Sequence, residues 1–272
     1  MSSSAQRYGL AGWLLLALAG GVLAVLLVLP PLALVARTGF AELVQGLRDP
    51  IALAALRLSA FTTSISLTFV VLLGTPLSWL LSRSSSRFAR FVETCVQLPI
   101  VLPPAVAGLA LLLAFGRRGL FSGVFYPRGE SVAFTTLAVI LAETFVAAPF
   151  FVQSATAAFR RIDPRLIDVA RSFGATPLRV FVRIGVPLAA PGLVAGAAMC
   201  WARSLGEFGA TLMFAGNMQG KTQTLPLAIY SALESDRSAA QALAIVLMLF
   251  AFGLLFAMRA AMRMSRARGP VS

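Results

Sequence analysis

Long apolar segments alternate with short polar segments along almost the whole chain. A helix needs about 20 apolar residues to cross the hydrocarbon core of a bilayer, and six segments are long enough to do so. We predict spans at about residues 11–36, 58–81, 92–115, 132–159, 188–214 and 239–258. The pattern therefore predicts an all-α, polytopic membrane protein of about six transmembrane helices, with residues 1–272 forming a single transmembrane domain.

Prolines lie in several of the predicted spans, and Pro149 interrupts the fourth. The third span contains Pro99, Pro103 and Pro104, and we expect a broken helix there because each proline removes a backbone donor. The first span carries prolines near its end and is too long for a signal peptide, so we interpret it as an anchor. The polar loop 215–237 contains LPLAIYSAL, which predicts a short surface helix.

Polar side chains inside the spans allow two interpretations each. The second span begins with hydroxyl side chains, namely Ser59, Thr62, Thr63, Ser64, Ser66 and Thr68. We favour hydrogen bonds between packed helices over the wall of a polar pathway. Glu143, in the fourth span, is interpreted as a buried, hydrogen-bonded acid rather than an ion carrier.

Charged residues also occur in the fifth span, where Arg203 and Glu207 lie four residues apart. Charges are costly within a membrane, so this pair indicates either a neutral structural pair or a fixed positive charge beside an anion pathway. In the second case Glu207 moderates the charge of Arg203. Ser204 lies between them, and Gly206 and Gly209 permit close approach of a neighbouring helix. We take these five residues as the candidate substrate pathway or gate.

A basic stretch at 163–187 separates the fourth and fifth spans. It contains two N-cap residues that each precede a proline, in Asp-Pro at 163 and Thr-Pro at 176, and this arrangement predicts two short helices. Gly174 is expected to end the first one. That helix is too short to cross a bilayer, and its apolar face consists of Leu166, Val169, Ala170 and Phe173. We therefore predict that it lies at a surface and contacts a partner.

Composition supports a membrane protein, since 58% of residues are apolar and only 12% are charged. The net charge of +13 would suggest nucleic acid in a soluble chain, but here the arginines lie between apolar spans. Fourteen basic residues fall on one predicted side and eight on the other. This bias places both termini and the 163–187 stretch in the cytoplasm.

The residue inventory argues against an enzyme. Histidine is absent from the sequence, the four aspartates lie in predicted loops, and no P-loop motif occurs. The two cysteines, Cys95 and Cys200, are interpreted as apolar fillers rather than a disulfide. We expect no cofactor or metal bound by this chain.

The 163–187 stretch resembles the coupling loop of bacterial ABC importer permeases, whose pattern is Glu-Ala-Ala, then Gly, then Ile-x-Leu-Pro. Four positions match, and Asp168, Val169 and Val186 replace Glu, Ala and Leu. The resemblance implies that this loop binds a cytoplasmic ATPase subunit. The residues that it assigns to ATPase coupling are Leu166, Asp168, Val169, Ala170, Phe173, Gly174, Ala175, Ile184 and Pro187.

Segments 98–112, 202–217 and 222–234 are similar to permeases of the molybdate and sulfate importer group. This resemblance implies the membrane-spanning permease of an ATP-driven importer that moves an oxyanion from periplasm to cytoplasm by alternating access. Molybdate is favoured, and tungstate, sulfate and thiosulfate remain alternatives. An ion-coupled secondary transporter is the alternative from another class.

The same resemblance implies the partners and the location. These are a cytoplasmic ABC ATPase in two copies, a second copy of this permease and a periplasmic oxyanion-binding protein. ATP and magnesium would belong to the ATPase. The expected location is the bacterial inner membrane, as a multi-pass protein.

Overall fold

The fold is a bundle of helices, seen in a computed structural model that describes residues 10–122 and 131–267. The long helices are α1 (Leu10–Arg37), α3 (Pro50–Arg83), α6 (Thr136–Arg160), α9 (Val186–Leu205) and α12 (Arg237–Ala267). The shorter ones are α2 (Phe40–Arg48), α4 (Arg87–Val101), α5 (Pro104–Phe115), α7 (Pro164–Ser172), α8 (Pro177–Val180), α10 (Gly209–Ala215) and α11 (Leu225–Ser235). A π-helical segment, Phe181–Gly185, joins α8 to α9.

The predicted number of spans is confirmed. Within the described ranges, five helices are long and apolar enough to cross a membrane, and α4 with α5 makes a sixth when the bent pair counts as one span. The second span begins earlier than predicted, at Pro50, because Asp49 caps it by accepting a 2.8 Å hydrogen bond from the Ile51 N–H. Arg57 therefore lies inside α3 rather than in the preceding polar segment.

The predicted break in the third span is also confirmed. Helix α4 ends at Val101, α5 begins at Pro104, and the two axes differ by 119°. Leu102 and Pro103 between them are extended, as expected for residues that precede a proline.

Helix α6 is the centre of the bundle and packs between α3 and α9. Its Phe151 and Phe159 are fully buried. Small residues let the neighbours approach closely: a Cβ at Gly74 of α3 would lie 2.9 Å from the Phe151 ring. In contrast, the side chains of α1 are mostly exposed. The core therefore does not depend on burial of α1.

Four of the six hydroxyls of α3 join helices, as the favoured interpretation predicted, whereas the exposed Ser64 and Thr68 bond to carbonyls of α3 itself. Thr62 donates a 2.8 Å hydrogen bond to Glu143 Oε1 of α6, and the Trp201 indole of α9 donates a 3.0 Å bond to Thr63. Thr144 of α6 donates to Ser66 at 3.0 Å. Glu143 is thus a buried, hydrogen-bonded acid, although its Oε2 has no partner among the residues described.

The surface location predicted for the LPLAIYSAL segment is wrong. The segment forms α11, but Leu225 and Leu227 are completely buried where α11 packs against α3 and α12. Ser59 of α3 accepts a 2.7 Å hydrogen bond from the Leu225 N–H, which provides a polar partner for the helix terminus inside the protein. This hydrogen bond allows the terminus to be buried.

The bundle has two distinct ends. At one end α3 and α12 begin, and hydrogen bonds from the Ser238 hydroxyl and the Ala239 N–H hold the pKa of the capping Asp236 below its usual value. At the opposite end Arg83 of α3 donates a 2.8 Å hydrogen bond to the Phe159 carbonyl of α6. The 163–187 stretch follows α6 at this second end.

The close contact between α6 and α9 predicts a specific sensitivity. A Cβ at Gly196 would lie 2.9 Å from the Ser154 Cβ and 3.2 Å from the Phe151 carbonyl oxygen. Gly196→Val should therefore destabilise the folded protein by about 1–3 kcal/mol, measured as a lower unfolding midpoint in detergent. Gly253→Val is the matched control, because no atom lies within 4 Å of a Cβ there. Equal midpoints for the two variants would contradict this account of the packing.

Candidate functional site

Helix α7 begins and ends as its sequence predicted. Asp163 accepts a 2.9 Å hydrogen bond from the Arg165 N–H at the start. At the end, Gly174 has φ +78°, its N–H bonds to the Arg171 carbonyl, and the Ala175 N–H bonds to the Ala170 carbonyl. This pair of bonds is the Schellman motif, which favours glycine because other residues are strained at positive φ. Ala170 and Ala175 thus contribute their backbone to the turn.

The apolar side chains of α7 are exposed rather than covered by this chain. Leu166 is 50% exposed, Val169 55% and Phe173 87%. Asp168 is exposed beside them. Ile167 is buried and attaches the helix to the bundle. An exposed apolar face on a short, well-capped helix is typical of a docking surface.

The other two predicted coupling residues lie farther along the same stretch. Ile184 is in the π segment and Pro187 is in the first turn of α9. Thr176 caps the intervening α8 by accepting a hydrogen bond from the Arg179 N–H. Thus the predicted coupling set divides between the docking face of α7 and the start of α9.

The fifth span differs from its prediction, because it is broken. Helix α9 ends at Leu205, Gly206 and Glu207 are non-helical, and α10 begins at Gly209. Arg203 and Glu207 therefore do not lie on one continuous helical face. They nevertheless form an ion pair, with Arg203 Nη1 2.7 Å from Glu207 Oε2.

The two partners of this pair have different environments. Glu207 is buried, and its second oxygen accepts a 2.8 Å hydrogen bond from the Ala210 N–H at the start of α10. The Arg203 side chain is 30% exposed, and among the described residues its guanidinium has no other acceptor. Ser204 is buried and donates a hydrogen bond to the Cys200 carbonyl. Both carboxylate oxygens of Glu207 are thus occupied within the protein, whereas Arg203 retains free N–H groups.

The breaks in the third and fifth spans face each other. A Cβ at Gly209 would lie 2.6 Å from Pro104 Cβ, and one at Gly108 would lie 2.7 Å from the Ala210 carbonyl oxygen. Gly209 therefore has the close-approach role that its sequence suggested. Gly206 has a different role, because it is the C-cap residue that ends α9 at the break. The two facing breaks, with Arg203 beside the second one, form the candidate substrate site.

Sequence reasoning missed three features of these regions. It did not identify Ile167 as the anchor of α7, because Ile167 lies outside the apolar face that was assigned. It placed residues 188–214 in one span, although Gly206 and Gly209 could have indicated the break. It also missed the buried position of α11, which depends on Ser59 more than 160 residues away in sequence.

Comparisons with known proteins agree with this architecture. Residues 74–267 match the family described as "Binding-protein-dependent transport system inner membrane component". The chain is 42% identical over 239 residues to the molybdenum transport system permease protein ModB of Mycobacterium tuberculosis, covering 88% of this chain and 90% of that protein. It is 36% identical over 213 residues to the protein of the same name from Azotobacter vinelandii, covering 78% and 94%.

Solved ABC transporters share the fold. A chain of a bacterial alginate ABC transporter aligns with a TM-score of 0.71 and 20% identity, covering 94% of each chain. A chain of the MetNI methionine ABC transporter, in an inward-facing conformation, aligns with a TM-score of 0.63 and 22% identity, covering 79% of this chain and 96% of that one. The chain is therefore a multi-pass transport component rather than an enzyme, and it belongs to the family of binding-protein-dependent transport system inner membrane components.

Proposed function

We propose that this protein is the membrane-spanning permease of an ATP-driven importer for molybdate. The observation that carries this proposal is the exposed apolar face of α7, on a chain whose relatives are molybdenum transport permeases. The face needs a partner, and no ATP-binding motif occurs in this chain. A separate ATPase subunit, which binds ATP and magnesium, would supply both the partner and the energy.

The orientation follows from the charges at the α7 end of the bundle. Arginines at positions 83, 87, 90, 160, 161, 165, 171, 179 and 183 are all exposed there. Because cytoplasmic loops are enriched in basic residues, this end faces the cytoplasm. Both termini would then lie in the cytoplasm, and the opposite end would receive the oxyanion from a periplasmic binding protein.

The proposed role of Arg203 rests on the asymmetry of its ion pair. Glu207 is bonded on both oxygens, so it holds the guanidinium and the start of α10 in place. The free N–H groups of Arg203 suit an oxyanion, because charged donors bind anionic oxygens strongly. The two interpretations of this pair are therefore compatible: Glu207 is structural, and Arg203 is available to the substrate.

Transport would proceed by alternating access between two copies of this chain. The broken third and fifth spans contact each other through glycines and prolines, which lets short half-helices shift as units. ATP-driven closure of the ATPase dimer would displace α7, and this motion would open and close the pathway.

Uptake in cells tests the proposed substrate. A strain that lacks its own high-affinity molybdate importer should accumulate radiolabelled molybdate when this chain is produced with its ATPase and binding protein. Excess unlabelled molybdate or tungstate should compete, and sulfate should compete weakly. Uptake of the label that an equal excess of sulfate inhibits more strongly than unlabelled molybdate does would assign the importer to sulfate instead.

Gly174 provides a test of the docking surface. Gly174→Val should disturb the turn after α7, because a left-handed conformation costs about 1–2 kcal/mol for a residue with a side chain. We expect loss of ATPase co-purification and of ATP-driven uptake. Gly220→Val is the matched control, since Gly220 has φ +71° and also no atom within 4 Å of a Cβ. If both variants retain the ATPase equally, α7 is not the docking site.

Arg203 provides a test of the pathway. Arg203→Gln should lower uptake about tenfold or more, because a hydrogen bond from a charged group contributes about 1.5–3 kcal/mol. Arg203→Lys should retain part of the uptake, and Arg57→Gln is a control for loss of an exposed arginine of a spanning helix. Uptake rates are to be compared with unfolding midpoints measured in detergent. If Arg203→Gln lowers only the midpoint, the pair is purely structural.

A further inference from the structure

Three aromatic rings from different elements meet beside the 163–187 stretch. They are Trp79 of α3, Phe159 of α6 and Phe181 of the π segment, and we call them the aromatic joint. The centroid of Trp79 lies 5.2 Å from that of Phe159, in an edge-to-face arrangement, and 5.6 Å from that of Phe181. Phe159 and Phe181 are 6.3 Å apart. The joint therefore connects the ends of α3 and α6 to the segment that follows α8.

Arg83 fixes the position of the Trp79 ring. Its guanidinium carbon lies 4.6 Å from the ring centroid, which is a cation–π contact. Its Nη2 also donates a 2.8 Å hydrogen bond to the Phe159 carbonyl near the end of α6. The indole is thus held between a cation and two aromatic rings.

The backbone of the π segment rests directly on this indole. Gly185 is buried, and a Cβ there would lie 2.7 Å from Trp79 Cζ3 and 3.1 Å from Cη2. Glycine is therefore required for the contact. π-Helical turns inside α-helices frequently coincide with functional sites.

The connection from α7 to the joint is short and anchored. Val180, the last residue of α8, is buried and directly precedes Phe181. Ile167 anchors α7 itself. A displacement of α7 can therefore reach the π segment without being absorbed by a long flexible loop.

From these contacts we infer that Trp79 and Gly185 are positioning residues that transmit the movement of α7 to α3. The inference rests on the proposed function, because the movement comes from the ATPase. Helix α3 in turn bonds to α9 through Thr63 and Trp201, two residues from Arg203. The joint thereby links the ATPase surface to the helices that surround the proposed pathway.

The test compares transporter complexes reconstituted in liposomes with the ATPase and the binding protein. Trp79→Leu removes the indole from the contact, and Gly185→Ala adds a methyl group that forces the π segment and Trp79 apart. Trp79→Phe keeps an aromatic ring at this position. Phe88→Leu is the matched control, because Phe88 lies near the same end of the bundle and is 74% exposed. Each complex carries a spin label at Leu72→Cys of α3, which is 66% exposed, in a Cys95→Ser background. Buried Cys200 remains unlabelled.

The measurements are ATPase co-purification, ATP hydrolysis, molybdate uptake and the label-to-label distance between the two copies with and without trapped ATP. In Trp79→Leu and Gly185→Ala we expect bound, active ATPase, no ATP-dependent distance change, and roughly tenfold more ATP hydrolysed per molybdate imported. Trp79→Phe should restore most of the coupling, and Phe88→Leu should behave as wild type.

The outcomes separate the two levels of inference. Suppose that the wild-type complex imports molybdate and that its label-to-label distance changes with ATP. If the distance changes by the same amount in the Trp79→Leu and Gly185→Ala complexes, the transmission role is overturned and the proposed function stands. If Trp79→Leu and Gly185→Ala lose the bound ATPase, the joint is merely structural and the inference is also overturned. If wild type itself neither imports molybdate nor changes distance with ATP, the proposed function fails.

Discussion

A break in a membrane helix exposes backbone N–H and C=O groups that lipid cannot hydrogen-bond, so each break must be surrounded by protein or by water. This constraint organises the bundle. The break after Val101 and the break after Leu205 lie against each other, with glycines at the contact. At the second break the Glu207 carboxylate accepts a hydrogen bond from the Ala210 N–H and also forms an ion pair with Arg203. The Arg203–Glu207 ion pair is therefore tied to the place where regular backbone bonding is interrupted.

The polar groups of the interior follow the same logic. Hydroxyls of α3 bond to Glu143, to Trp201 and to the start of α11, so that polar atoms find partners across helices rather than in solvent. Small residues at the crossings of α6 and α9 then allow close packing. The result is a bundle whose helices are held to one another at defined points.

Much of this could be predicted because the signals are local. Apolar length predicts the spans, paired prolines predict the break at 102–103, and the Asp-Pro and Gly174 signals predict both ends of α7. Two of the missed contacts depend on residues that are distant in sequence. The start of α11 can be buried because the Ser59 hydroxyl accepts a hydrogen bond from the Leu225 N–H. No local pattern in LPLAIYSAL predicts that hydrogen bond. Similarly, the contact of Gly185 with Trp79 joins residues more than 100 positions apart. Hydrophobic periodicity detects faces of helices but not the neighbours that cover them.

The π segment also sets how the side chains of α9 are rotated about the helix axis. One residue in an α-helix corresponds to about 100° of turn, so the additional residue accommodated at Phe181–Gly185 determines which way every later side chain of α9 points. With a regular α-helical turn instead, the side chains of Arg203 and Ser204 would point in directions different from those that they now have. The angular placement of the Arg203 side chain is thus specified about 20 residues earlier, at the end of the bundle that carries α7.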